Sequence, residues 1–168
     1  MKLLACPKCH QQLRLENKTL KCENNHCYDI SKRGYINLLL NPDKATNNPG
    51  DSKESLVARK AYLNKGYYDP ILNQVITRID EFKHQDDLSI LDLGCGEGYY
   101  TQGLKKHFEN SDIYGLDISK IAIDMATRYR KDVTWLVGNS KNIPILDHSL
   151  DFICALFTVV NQDELKRA

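Results

Sequence analysis

The chain has 168 residues, of which 42% are apolar and 27% charged, and a formal net charge of +1. That make-up is ordinary for a globular protein and suits one domain, or a small module joined to most of a larger one; the charge balance favours no nucleic-acid partner and excludes none. The longest apolar run, Phe152 to Val160 interrupted by Thr158, is far too short to span a membrane.

The N-terminal stretch MKLLACPKCH has no long apolar region and no small-residue cleavage site, so no secretion signal is expected and the cytoplasm is the default location. Four of the six cysteines, Cys6, Cys9, Cys22 and Cys27, fall within the first 27 residues. Without secretion, such clustering points to metal rather than disulfides. The spacing Cys6-x2-Cys9-x12-Cys22-x3-His26 suits a tetrahedral structural zinc site. Cys27 competes with His26 for the fourth position, with His26 preferred, and His10 is placed at the surface. Between the pairs, LRLENKTLKC reads as two short strands around an asparagine turn. A module spanning residues 1–40 buries too little apolar area to fold without such a staple.

Residues 41–55 read as a linker, since NPDKATNNPGDS is rich in proline, glycine and polar side chains. Ser52 and Ser55 are candidate caps for a helix carrying Leu56, Ala58, Tyr62 and Leu63. Gly66 separates it from a second helix marked by Ile71, Leu72, Val75, Ile76 and Ile79. Lys53, Arg59, Lys60 and Lys65 make this region locally basic.

From Ser89 strands and helices alternate. The expected order is a strand in SILDLG, a helix from Tyr99 to Phe108, a strand from Ile113 to Leu116 and a helix from Lys120 to about Arg130. A third strand over Val133–Val137 and a fourth over Leu150–Phe157 follow. This pattern predicts an α/β fold with a parallel sheet covered on both faces. Cys95 and Cys154 lie in apolar surroundings and are expected to be buried.

The stretch LDLGCGEGYYT ends the first of these strands in a glycine-rich turn. Its glycines fall as G-x-G-x-G, whereas a dinucleotide fingerprint is G-x-G-x-x-G, and no G-K-[ST] follows to make a phosphate loop. S-adenosyl-L-methionine has no pyrophosphate but carries an ammonium and a sulfonium. Asp92 and Glu97 offer negative charge, and Gly94 and Gly96 let the backbone approach the methionine portion. Asp117, 23 residues after Gly94, is placed to accept from ribose hydroxyls. Asn139 and Ser140, after the third strand, are candidates for the adenine edge.

With these motifs in order the chain resembles the RlmA/RrmA family of ribosomal RNA guanine-N1 methyltransferases. The resemblance rests on CPKCHQQL, C-x3-H, RGYINLL, NPGDSKESLVARKAYLNKGYYDPI and LDLGCGEGYYT, and covers nearly all of residues 5–153. It implies a zinc-ribbon-like module followed by a class I (Rossmann-like) methyltransferase domain over residues 56–168. It also implies zinc on Cys6, Cys9, Cys22 and His26, and cofactor contacts at Tyr68, Gly96, Glu97 and Asp117. The implied enzyme works in the cytoplasm, typically as a homodimer, on a hairpin loop of 23S rRNA. Arg59, Lys60, Lys32 and Arg33 are candidate RNA contacts.

A class I sheet has seven strands, so a chain ending one helix after the fourth is expected to be truncated or a piece of a longer protein. LFTVVNQDELKRA departs from the family pattern where the target base is expected, which puts activity at this length in question. The alternative reading is a zinc-stabilised RNA-binding or interaction module with a residual, non-catalytic methyltransferase fold.

Overall fold

The structure, a computed structural model, describes residues 1–40 and 50–168; residues 41–49 of the expected linker lie outside the described residues. Strands β1 (Arg14–Glu16), β2 (Thr19–Lys21) and β3 (Cys27–Asp29) form an antiparallel ribbon in that order. Asn17 turns the chain between the first two with φ of 59°. That left-handed conformation costs asparagine little.

The next elements are β4 (Ile36–Asn37), α1 (Lys53–Leu63), α2 (Asp69–Phe82), β5 (Ser89–Leu93), α3 (Tyr99–His107), β6 (Asp112–Asp117), α4 (Lys120–Ala126), β7 (Thr134–Val137), β8 (Phe152–Cys154) and α5 (Gln162–Arg167). Ser52 caps α1, its side chain accepting from the Ser55 N–H. The larger sheet is wholly parallel, in the order β4-β7-β6-β5-β8.

Four elements differ from expectation, the first being β3, which adds a third strand where the cysteine-rich module was expected to have two. Ile36 and Asn37 join the large sheet beside Leu136 and Val137, a strand too short to leave a periodic pattern. Helix α4 stops at Ala126 instead of about Arg130. There the Thr127 hydroxyl bonds the Asp124 carbonyl, and the N–H groups of Arg128 and Tyr129 turn back three residues to Met125 and Ala126. Strand β8 ends at Cys154, and the chain leaves the sheet before Phe157, whose φ is 57°.

Alternation along the strands fixes which side chain faces which layer. Ile90, Ile113 and Trp135 pack against α2, α3 and α4 through Ile79, Leu104, Ile123 and Ala126. Leu91, Leu93, Tyr114, Leu116 and Leu136 point to the other face. The sheet is covered on both faces as expected, but the second cover is the cysteine-rich ribbon, through Leu4, Leu13 and Leu20, together with the end of α5. These ribbon leucines are at most 2% exposed, each burial contributing about 1.5–3 kcal/mol. Backbone bonds from Ala5 N–H to the Pro144 carbonyl (3.0 Å) and from Leu146 N–H to the Leu3 carbonyl (2.8 Å) tie the N-terminal segment to the loop between β7 and β8.

Candidate metal centre and cofactor cleft

Two turns bring the metal-ligating residues together. In the first, the His10 N–H bonds the Cys6 carbonyl; in the second, the Asn25 N–H bonds the Cys22 carbonyl. The ligand atoms of Cys6, Cys9, Cys22 and His26 all lie within 4.8 Å of one another. His26 Nδ1 is 3.4 Å from the sulfurs of both Cys6 and Cys22, and the Cys9 and Cys22 sulfurs are 3.6 Å apart. A tetrahedron with metal–sulfur distances of about 2.3 Å and metal–nitrogen distances of about 2.0 Å has edges of about 3.5–3.8 Å, so the donors fit zinc. A hydrogen bond from the Gln11 backbone draws the Cys9 thiol down to about 6, toward the thiolate a metal requires. Cys27 is exposed and its sulfur turns to the Asn25 carbonyl, whereas His26 lies in the cluster with Cys6, Cys9 and Cys22. His10 is exposed.

The glycine turn lies at the C-terminal end of β5, and two clefts, each about 220 Å³, meet at Gly94. Tyr68, Gly94, Gly96 and Glu97 line the first; Gly94, Asp117, Asn139 and Ser140 line the second. Gly94 (φ 75°) and Gly96 (φ 55°) hold left-handed backbone, and a Cβ on Gly94 would also lie 2.5 Å from the Thr158 Cβ. Asp117 braces the turn, accepting from Gly96 N–H at 2.9 Å and from Ser119 N–H at 2.8 Å. Burial raises its carboxyl, against the lowering effect of those two N–H groups.

Glu97 is 3% exposed, and its buried Oε1 has no hydrogen-bond partner among the described residues. Burial raises this carboxyl too, while the nearby charges of Arg59 and Lys60 lower it. The Tyr100 hydroxyl, in the same cleft, is likewise buried without a partner. An acceptor and a hydroxyl of this kind fit a ligand with a cationic donor end. The neighbouring Asp117 fits a vicinal diol.

Asp92 is not brought to either cleft. It is 2% exposed beneath the turn, and Thr101 of α3 donates to its Oδ2 at 2.5 Å. Its carboxyl is pushed up to about 7, chiefly by burial. Its place in the structure is therefore a strand-to-helix tie.

Several cleft residues escaped the sequence reading as such. Arg59 lines the first cleft and pairs with Asp51 at 2.5 Å; Tyr62, Tyr99 and Phe157 line it as well. The usable signal was the helical spacing of Leu56, Arg59, Lys60 and Leu63, which puts two cations on the inward face of α1.

Comparison with known proteins agrees with this architecture. The family model described as RlmA, N-terminal, a zinc ribbon, matches residues 4–45, and the one described as methyltransferase domain matches residues 90–168. The chain is 29% identical over 170 residues to the 23S rRNA (guanine(748)-N(1))-methyltransferase of Streptomyces fradiae, covering 99% of this chain and 59% of that protein. It thus spans about three fifths of that relative's length. A demethylmenaquinone methyltransferase of Thermotoga maritima is 33% identical over 78 residues, 46% of this chain and 34% of its own. Among solved structures, a Methanococcus maripaludis protein described as a "putative s-adenosyl-l-methionine-dependent methyltransferase" superposes with a TM-score of 0.56. It is 21% identical, covers 70% of this chain and 61% of its own, and shares the fold.

Proposed function

We propose that this chain, an RlmA-type zinc ribbon built onto an S-adenosyl-L-methionine-dependent methyltransferase domain, methylates N1 of a guanine in large-subunit (23S) ribosomal RNA. The observation that carries this reading is the presence in one chain of the Cys3His ribbon and the glycine-turn clefts, in a chain aligned over 99% of its length with the Streptomyces relative. The methyltransferase domain by itself does not choose the substrate, since the Thermotoga relative that matches it bears a different substrate in its name.

In this reading zinc is held by Cys6, Cys9, Cys22 and His26. S-adenosyl-L-methionine lies along the two clefts. Gly94 and Gly96 admit its methionine portion, Glu97 accepts from its ammonium, Asp117 accepts from its ribose hydroxyls, and Asn139 and Ser140 meet the adenine. Tyr68 walls the methionine end. Bound cofactor supplies an electrophilic methyl group. The chain's own part is to hold donor and guanine in line and to keep water from the cleft, which accounts for most of the acceleration in a displacement of this type. Guanine N1 must also pass its proton to a base.

The target is a hairpin loop, bound with phosphate contacts and stacking on splayed bases, and the enzyme acts as a homodimer in the cytoplasm. No described helix is long and apolar enough to cross a membrane. One observation favours the second reading, RNA binding without transfer: Thr158 packs over Gly94, where the two clefts meet.

Calorimetric titration with S-adenosyl-L-methionine, followed by incubation with deproteinised 23S rRNA, tests both. Methylation at N1 blocks the Watson–Crick edge and stops reverse transcription at one guanine. Cofactor binding without such a stop leaves the second reading; no cofactor binding by folded chain removes the first.

A further inference from the structure

The basic residues of α1 do not all face the cofactor. A groove of about 420 Å³ runs between α1 and the end of α4, lined by Lys53, Val57, Lys60, Met125, Arg128 and Tyr129 among others, and none of the described residues lining it is acidic. Arg128 pairs with Asp124 at 3.1 Å, but Asp124 also pairs with Arg33 at 2.8 Å, so two guanidinium groups share one carboxylate. Lys60 Nζ lies 3.2 Å from the centre of the Tyr129 ring and has no hydrogen-bond partner among the described residues. Tyr129 remains 56% exposed. The groove therefore combines excess positive charge with an aromatic ring fixed from one side and open on the other.

It is also continuous with the cofactor site. A smaller cleft shares Lys60, Asn64 and Tyr129 with the groove, and shares Glu97 and Tyr99 with the cleft at the glycine turn.

We propose that this groove binds a single-stranded segment of the RNA substrate adjoining the target base, Lys53 and Arg128 contacting phosphates and Tyr129 stacking on a base. The proposal rests on the reading of the chain as an RNA methyltransferase. Cations that track a backbone beside an aromatic face form the usual platform for single-stranded nucleic acid. A protein partner would need carboxylates to match these cations and would gain little from the connection to the methyl-donor cleft.

The test uses the full chain and a fluorescein-labelled single-stranded RNA, followed by anisotropy over a salt series. Lys53→Ala/Arg128→Ala is expected to weaken RNA binding about tenfold and to reduce the slope of log affinity against log salt by about 1.4, or about 0.7 for each lost phosphate contact. S-adenosyl-L-methionine affinity should stay within about twofold, because the exposed Arg128 pair contributes little to the fold. Tyr129→Ala is expected to cost about tenfold in RNA affinity, and Tyr129→Phe, which keeps the ring, almost nothing. Wild-type chain that binds RNA while the double variant matches it in affinity and slope overturns the groove and leaves the methyltransferase reading standing. Wild-type chain that binds the cofactor but no RNA overturns both.

Discussion

Asp92→Asn isolates the energetics beneath the glycine turn. In the folded chain the Asp92 carboxyl titrates at about 7, against an ordinary value of 3.8. A folded value above the unfolded one means the group's contribution is fully present below the unfolded value and is lost as pH rises through the folded one. The loss accumulates between about pH 4 and pH 7 and totals about 4 kcal/mol at 1.36 kcal/mol per unit. Asparagine carries no such penalty and can still accept from Thr101, but its buried amide N–H group needs a partner and costs about 1–3 kcal/mol. The variant should therefore match the wild type near about pH 5 and exceed it by about 2 kcal/mol near about pH 8.5. For a chain of this size that is a rise of about 4–8 °C in Tm, read by thermal unfolding at the two pH values. A stability difference of the same sign and size at both would refute the assignment of the penalty to ionised Asp92.

Three more outcomes follow from the two sites. Cys22→Ser, or removal of zinc by a chelator, should unfold the ribbon, because a structural zinc is worth about 10–16 kcal/mol in isolated fingers and few domains have more stability than that. Dye binding to the exposed Leu4, Leu13 and Leu20 surface and colorimetric zinc release report it; a folded ribbon without metal would contradict the metal assignment. Glu97→Gln should weaken S-adenosyl-L-methionine about ten- to hundredfold by calorimetry, the range for losing a hydrogen bond to a charged group, with Tm held or raised. Because burial raises Glu97 and Asp117, a cationic ligand that favours their ionised forms should release protons on binding and bind more tightly as pH rises from the ordinary carboxylate range toward neutrality. Calorimetry in buffers of different ionisation heat reads this, and net proton uptake would defeat it.

Much of this was legible in the sequence where local spacing dictates geometry. The cysteine spacing announces the Cys3His cluster because two tight turns bring each ligand pair together, and the glycine turn announces the cofactor clefts because only glycine holds its left-handed backbone cheaply. What was not legible depended on distant contacts. The two residues of β4 become a strand only because Leu136 and Val137 offer an edge. Asp92 looks like a cofactor acid in the sequence, yet its side chain follows the strand alternation to Thr101, on the helical face of the sheet. Cys27 and His26 are adjacent and chemically similar in role, and the β3 register separates them, turning Cys27 outward.

The placement of the ribbon bears on how the cofactor turn is held. Leu91 and Leu93 of β5 pack in one cluster with Leu4, Leu13 and Leu20 of the ribbon, while Ile90, on the opposite face, packs against the helices. Gly94 follows Leu93 directly, so the strand that ends in the turn is clamped between ribbon and helices. The Gly94 and Cys95 N–H groups bond the Leu116 carbonyl of β6, a strand whose Tyr114 and Leu116 belong to the ribbon-side cluster too. A ribbon that loses its metal uncovers the part of β5 and β6 under Leu4, Leu13 and Leu20, leaving apolar area in water at about 25 cal/mol per Å². The positions of Gly94, Gly96 and Asp117 are set by those same two strands. The ribbon and the clefts at the glycine turn are therefore joined through packing on the same two strands.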